Sequence, residues 1–137
     1  MILCLTPWFP AYPGAHKGNF ILDSLLSLEG YGHHIKVLVT QPWIPSWLRM
    51  GLPTFGQSVI QLNTHSKSFE IEVLQHLSIP RNYLRSLSSF FYRKKVEIAV
   101  RRIIARQGVD VILVHTELAA IGVTGIAKSM GIPVVVV

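Results

Sequence analysis

Four short apolar runs, Ile2–Leu5, Ile35–Val39, Val109–Val114 and Val134–Val137, constrain this chain more than any other feature, because stretches of helical period lie between them. Each run is the length of one strand and lacks the polar alternation of a half-solvated one, so each reads as a strand buried on both faces. Strands that alternate with helices return in the same direction, which makes a parallel sheet with helices on its faces. The expected class is α/β, a Rossmann-like parallel sheet flanked by helices. With 137 residues the chain is one domain, 1–137, able to bury roughly two thirds of its unfolded surface.

The helical stretches can be placed more closely. Asn19 is a candidate side-chain cap, and Phe20, Ile21, Leu25 and Leu28 recur near helical spacing until Gly30 and Gly32. Ser86–Gln107 is the best helix, with Leu87, Phe90, Phe91, Val96, Val100, Ile103 and Ile104 expected as an apolar stripe opposite a basic face. Leu118–Met130 is a helix of small residues. Alternation predicts short strands at Val59–Leu62 and Phe69–Leu74, with a polar turn over Asn63–Ser68. Gln41–Gly56 holds three prolines and is expected to form no regular element. Its Trp43, Ile44, Trp47, Leu48 and Met50 serve as core cover or as a membrane-facing lip.

Only 15% of residues are charged and mean hydropathy is +0.41, so much of the chain is expected inside a sheet or against a partner domain. The net charge of +6 is unevenly placed. Arg81, Arg85, Arg93, Lys94, Lys95, Arg101, Arg102 and Arg106 stand against Glu97 alone, which is +7, and the remainder of the chain carries −1. Such a face suits anionic lipid, a phosphorylated substrate or nucleic acid, or is simply a solvated helix surface. A nucleic-acid role is disfavoured, since the polar side lacks interleaved aromatics and no DNA or RNA motif occurs. Cys4, the single cysteine, lies in the first apolar run and excludes an internal disulfide. His33, His34, His65 and His76 fall in turns without metal-ligand spacing, so no metal is expected. Pro7 and Pro10 interrupt the start too early for a signal peptide, and no run reaches the ~18 residues of a membrane span; a cytoplasmic location is expected. The chain stops in four valines, an uncovered β-rich edge that leads us to expect a longer natural protein.

In open parallel sheets ligands bind beyond the carboxyl ends of the strands, so the residues to question are Pro7–Asn19, Thr40–Trp43 and His115–Glu117. The first loop carries Gly14, His16 and Lys17 and runs through Gly18 and Asn19 into a helix amino terminus, where free amides and the dipole favour an anion. No G-x-G-x-x-G is present to suggest a dinucleotide. His115 follows an apolar strand directly and is aimed at the crevice, able to donate to a sugar hydroxyl or to shuttle a proton. Glu117 either orients His115 or caps the next helix, with Thr116 a competing cap.

Trp8-Phe9-Pro10, Gly18-Asn19-Phe20, Gly32-His33-His34-Ile35-Lys36-Val37 and Gly131-Ile132-Pro133-Val134-Val135, in that order and spacing, resemble the amino-terminal, acceptor-side domain of GT-B glycosyltransferases. The resemblance is to the large retaining group that includes phosphatidylinositol mannosyltransferases and bacterial surface-polysaccharide enzymes; it spans Ile2–Val137 and is weakest over Trp43–Ser78. It implies that the Pro10–Gly18 loop lies under the donor phosphates and beside the acceptor, and that His115 lies near the transferred sugar. It implies no cofactor: a nucleotide-sugar enters as substrate, held mainly by a donor domain not included in these residues, and the acceptor is a glycan or lipid-linked hydroxyl. A fragment of this kind is expected to be inactive alone and to touch an anionic membrane peripherally. Gly14 and Gly18 are separated here, where many members carry adjacent glycines. Without the resemblance, the same residues also allow a non-enzymatic Rossmann-like binding or regulatory module.

Overall fold

A computed structural model describes residues 1–10, 18–43, 69–77 and 85–137. The elements, in chain order, are β1 (Ile2–Thr6), α1 (Asn19–Gly30), β2 (Ile35–Trp43), β3 (Phe69–Leu77), α2 (Arg85–Gln107), β4 (Val111–Val114), α3 (Glu117–Ser129) and β5 (Val134–Val136). The strands form one five-stranded sheet in the order β3-β2-β1-β4-β5, and every pairing is parallel, as the strand–helix alternation requires. The expected strand at Val59–Leu62 and its turn lie outside the described residues.

All five residues of β1 are buried, because β1 is central and has cover on both faces. On one face Ile2, Cys4, Ile35, Val37 and Val39 pack under Ile21 and Leu25 of α1. On the other, Leu3, Leu5, Leu38, Ile112 and Val114 meet α2 through Tyr92, Val96, Ala99, Val100 and Ile103, and α3 through Ala119, Val123, Ile126 and Ala127. A fully buried Leu or Ile of this kind contributes about 1.5–3 kcal/mol, an upper bound because real unfolded chains already hide some surface. Gly122 lets α3 approach α2, since a Cβ there would stand 3.2 Å from Val96 Cγ1.

Three local expectations need correction. β2 runs on through Pro42 and Trp43, where the prolines argued for no regular element; β1 ends opposite Val39, so beyond it β2 pairs with β3 only, and proline is tolerated in such edge-like positions. β3 likewise extends to Leu77, which places His76 in a strand and not in a turn. Leu87, Phe90 and Phe91 are exposed and do not join the buried stripe of α2, because Tyr92 and Ala99, and not these three, lie in phase with Val96, Val100 and Ile103.

Between β2, β3 and the second half of α2, Lys36 is buried against two carboxylates, with Nζ 2.6 Å from Glu70 Oε1 and 3.4 Å from Glu72 Oε2. Arg102 pairs with Glu72, and Gln107 donates to Glu70 at 2.8 Å. The Lys36 ammonium, more than any other group, holds the Glu70 carboxyl below its usual range. These groups line a cavity of about 280 Å³ at the amino ends of the strands. It lies at the opposite end of the sheet from the carboxyl ends of the strands.

Candidate functional site at the carboxyl ends of the strands

The sheet order puts the topological switch point between β1 and β4: the chain leaves β1 toward β2 on one side and reaches β4 on the other. A crevice opens beyond the carboxyl ends of two such strands, where the outgoing connections part. Here those connections lead to α1 on one face of the sheet and α3 on the other, so two helix amino termini flank one opening.

The β1 side is built first from Thr6. Its buried hydroxyl donates to the Trp8 carbonyl and accepts the Trp8 N–H, both at 3.1 Å, folding the chain sharply as it leaves the sheet. The following backbone lies directly against Gly18, the residue that caps α1 at φ 84°. A Cβ on Gly18 would stand 2.9 Å from Pro10 N and from Trp8 O. Only glycine fits both that dihedral and that approach. Gly18 thus packs the start of α1 closely against the chain's own loop. The Gly18 carbonyl accepts from Ile21 and Leu22, at 3.0 and 3.1 Å.

Asn19 does not cap α1. It is the first helical residue, Gly18 is the cap, and among the described residues no side-chain oxygen satisfies the first amides. Among the described residues the positive end of α1 thus has no side-chain acceptor, the condition under which an external anion binds best.

On the β4 side, the His115 N–H donates to the Leu5 carbonyl at 3.1 Å, which ties the residue after β4 to β1. Its half-buried ring meets Phe20 edge-on, with centroids 6.4 Å apart, and burial pushes its pKa below the ordinary histidine value. Thr116 is the cap of α3, its Oγ1 accepting from Ala119 N at 3.3 Å. Glu117 is thus an exposed first-turn residue complementing the helix dipole, and no described contact joins it to His115. Gly14, His16 and Lys17 lie outside the described residues. Among the sequence-derived candidates, then, the fold brings Gly18, Asn19, His115 and Glu117 to one end of the sheet.

Sequence reasoning missed two groups. Phe20, expected in the apolar stripe, is 58% exposed and faces His115, and Trp8 is comparably open. Only one of the neighbours Phe20 and Ile21 can point at the sheet, and Ile21 does. The second group is polar. Gln41 Oε1 and His76 Nδ1, at the same end of β2 and β3, are buried without hydrogen-bond partners among the described residues, while the nearby Thr40 side chain meets the Tyr92 hydroxyl. His76 packs edge-on against Tyr92 at 4.7 Å, and burial, helped by Lys95, lowers its pKa. Unpaired buried polar atoms are costly, so their grouping at the ligand end of a sheet marks unspent hydrogen-bonding capacity. Among the described residues no group of three or more His, Cys, Asp or Glu side chains is placed to hold a metal.

No family model matches the chain, and no curated protein matches it in sequence. Solved structures do resemble it. A UGT transferase from Siraitia grosvenorii in complex with UDP superposes with a TM-score of 0.52 at 17% identity, covering 98% of this chain and 27% of its own. The apo UGT2 of Phytolacca americana superposes with a TM-score of 0.57 at 16% identity, covering 98% of this chain and 28% of its own. At such identities the likeness is one of architecture, and it does not single out the retaining group that the sequence resembles. The chain has the α/β fold of a GT-B glycosyltransferase domain and spans about a quarter of the length of those neighbours.

Proposed function

We propose that the chain is the acceptor-side domain of a glycosyltransferase, one that moves a sugar, in this reading a hexose, from a nucleotide-sugar to a hydroxyl of a glycan or lipid-linked acceptor. The observation that carries the reading is the switch point beyond β1 and β4, with the α1 amino terminus free of a side-chain cap among the described residues on one side and His115, its pKa lowered by burial, on the other. In this reading a donor-binding domain closes over the crevice, and these residues alone transfer nothing. The protein works at the cytoplasmic side of the cell in polysaccharide or glycolipid synthesis.

The chemistry follows from the charges. The acceptor oxygen forms a bond to the anomeric carbon, the bond from that carbon to the donor phosphate oxygen breaks, and the electron pair leaves with the nucleotide. Negative charge grows on the leaving phosphate, where the first amides of α1 at Asn19 and Phe20, and Lys17 if the loop brings it there, stabilise it. A histidine whose pKa burial has lowered is unprotonated near neutrality and accepts a hydrogen bond, or the proton, from a sugar or acceptor hydroxyl. Trp8 and Phe20 offer apolar faces to the sugar ring, and Gln41 and His76 offer polar atoms to acceptor hydroxyls. Gly14, His16 and Glu117 complete the proposed binding set.

The test is an amide-resolved NMR titration of the chain with UDP. Shifts concentrated at Gly18, Asn19, Phe20 and His115, and lost in His115→Ala for the His115 neighbourhood, are expected. Shifts confined to other regions, or none at high nucleotide concentration, would refute the phosphate contact proposed for α1.

A further inference from the structure

The cavity at the amino ends of the strands is walled by charged groups. Lys36 of β2 and Glu70 and Glu72 of β3 face α2, which adds Arg102, Arg106 and Gln107 around the buried Ile103. A buried ion pair is by itself no more stabilising than an apolar contact of the same volume, so packing alone does not account for these residues. Their polar capacity is only partly used. Lys36 Nζ meets Glu70 and Glu72, Arg102 pairs with Glu72, and Gln107 donates to Glu70. Three cations face two carboxylates, 3 − 2 = +1, and the excess is Arg106, exposed and without an ion pair among the described residues. Each Glu70 oxygen accepts from one of these donors, Oε1 from Lys36 and Oε2 from Gln107, and each has a second lone pair.

We infer that this cavity binds a small polyhydroxylated oxyanion, a sugar phosphate or a sugar acid. Its volume of about 280 Å³ lies at the lower end of the range of ligand sites, ~300–1,000 Å³, and suits a single monosaccharide unit. The planar fork of Arg106 takes a phosphate or carboxylate with two parallel hydrogen bonds, and the excess positive charge favours an anion over a metal cation. The hydroxyls of the same ligand donate to the free lone pairs of Glu70 and Glu72, which a bare inorganic anion leaves unused. Glu70, Arg106 and Gln107 are exposed, so the ligand enters from solvent. The inference does not rest on sugar transfer, since it needs neither a nucleotide nor any residue at the carboxyl ends of the strands.

The experiment is isothermal titration calorimetry of the chain with glucose 6-phosphate, glucuronate, glucose and inorganic phosphate, with amide NMR to place the bound molecule. Saturable binding of glucose 6-phosphate, glucuronate or both is expected, the tighter of the two identifying the anionic group. Glucose and inorganic phosphate should bind about ten-fold more weakly or less, each lacking one half of the contacts. Amide shifts should centre on Glu70, Arg106 and Gln107. Arg106→Ala should weaken binding about ten- to a hundred-fold at unchanged helicity, the loss of one charge-assisted contact, and Arg106→Lys should restore part of it. Arg101→Ala, which removes a partner of Glu97 outside the cavity, should leave binding intact. No binding of either acid, glucose or inorganic phosphate bound as tightly as the acids, or indifference to Arg106→Ala would overturn the inference. So would shifts centred on Gly18 and His115, which would put the ligand at the other end of the sheet.

Discussion

Replacing Gly18 by alanine separates two costs that usually travel together. An L-residue at φ 84° pays about 1–2 kcal/mol for the left-handed conformation. The added Cβ also meets Pro10 N and Trp8 O at 2.9 Å and Phe9 C at 3.0 Å. These are backbone atoms, unable to rotate aside, so overpacking adds about 1–3 kcal/mol. The expected loss is about 2–5 kcal/mol, a large part of a total stability of about 5–15 kcal/mol. Gly32 supplies the control: its φ is 83°, but nothing lies within 4 Å of its Cβ position, so Gly32→Ala should cost the dihedral part alone, about 1–2 kcal/mol. Urea unfolding reads both. With a slope of about 1–3 kcal/mol/M, Gly18→Ala should lower the midpoint by on the order of 1–3 M and Gly32→Ala by clearly less. In Gly18→Ala the NMR signals of Phe20 and His115 should also move, since the loop and α1 must shift apart. Equal midpoints for the two variants would refute the packing argument and with it the account of how the crevice is shaped.

Burial pushes the Cys4 thiol up to about 12, so the folded chain should resist thiol reagents at pH 8 and react only at its unfolding rate. His76 and His115 are both depressed by burial; the stability they contribute is present above the ordinary histidine value of 6.5 and lost as pH falls through their folded values. Unfolding free energy should therefore fall between pH 7 and pH 5, a window above the lowered Glu70 carboxyl, and His76→Gln with His115→Gln should flatten that slope. Thr116→Ala should cost about 1 kcal/mol through the lost α3 cap, and Thr116→Ser should restore most of it in the same urea titration.

The order of elements was legible in the sequence because apolar period is a local property. The runs at Ile2, Ile35, Phe69, Val109 and Val134 each contain a strand, and helix starts and stops fall within a residue or two of their glycines and caps. His115 at a strand end was legible for the same reason. Caps were less so: Asn19 yielded to Gly18, because the cap position depends on a dihedral and a loop contact that no residue type announces. The longer β2 and β3 were hidden by Pro42 and by polar residues that neighbouring strands make tolerable.

What the sequence alone determined is an α/β domain with a parallel sheet, an anion-binding candidate after the first strand and a histidine after the fourth. Tertiary structure alone decided that β1 lies between β2 and β4, since strand pairing joins residues as far apart as Leu5 and Val114 and no window of the chain encodes that choice. It decided which of two adjacent apolar residues faces the core, sending Ile21 and Tyr92 inward and Phe20, Phe90 and Phe91 outward, because each helix can turn only one stripe toward the sheet that forms beneath it. It also buried Lys36, a cation that composition assigns to the surface, because Glu70 and Glu72 arrive on the neighbouring strand to meet it.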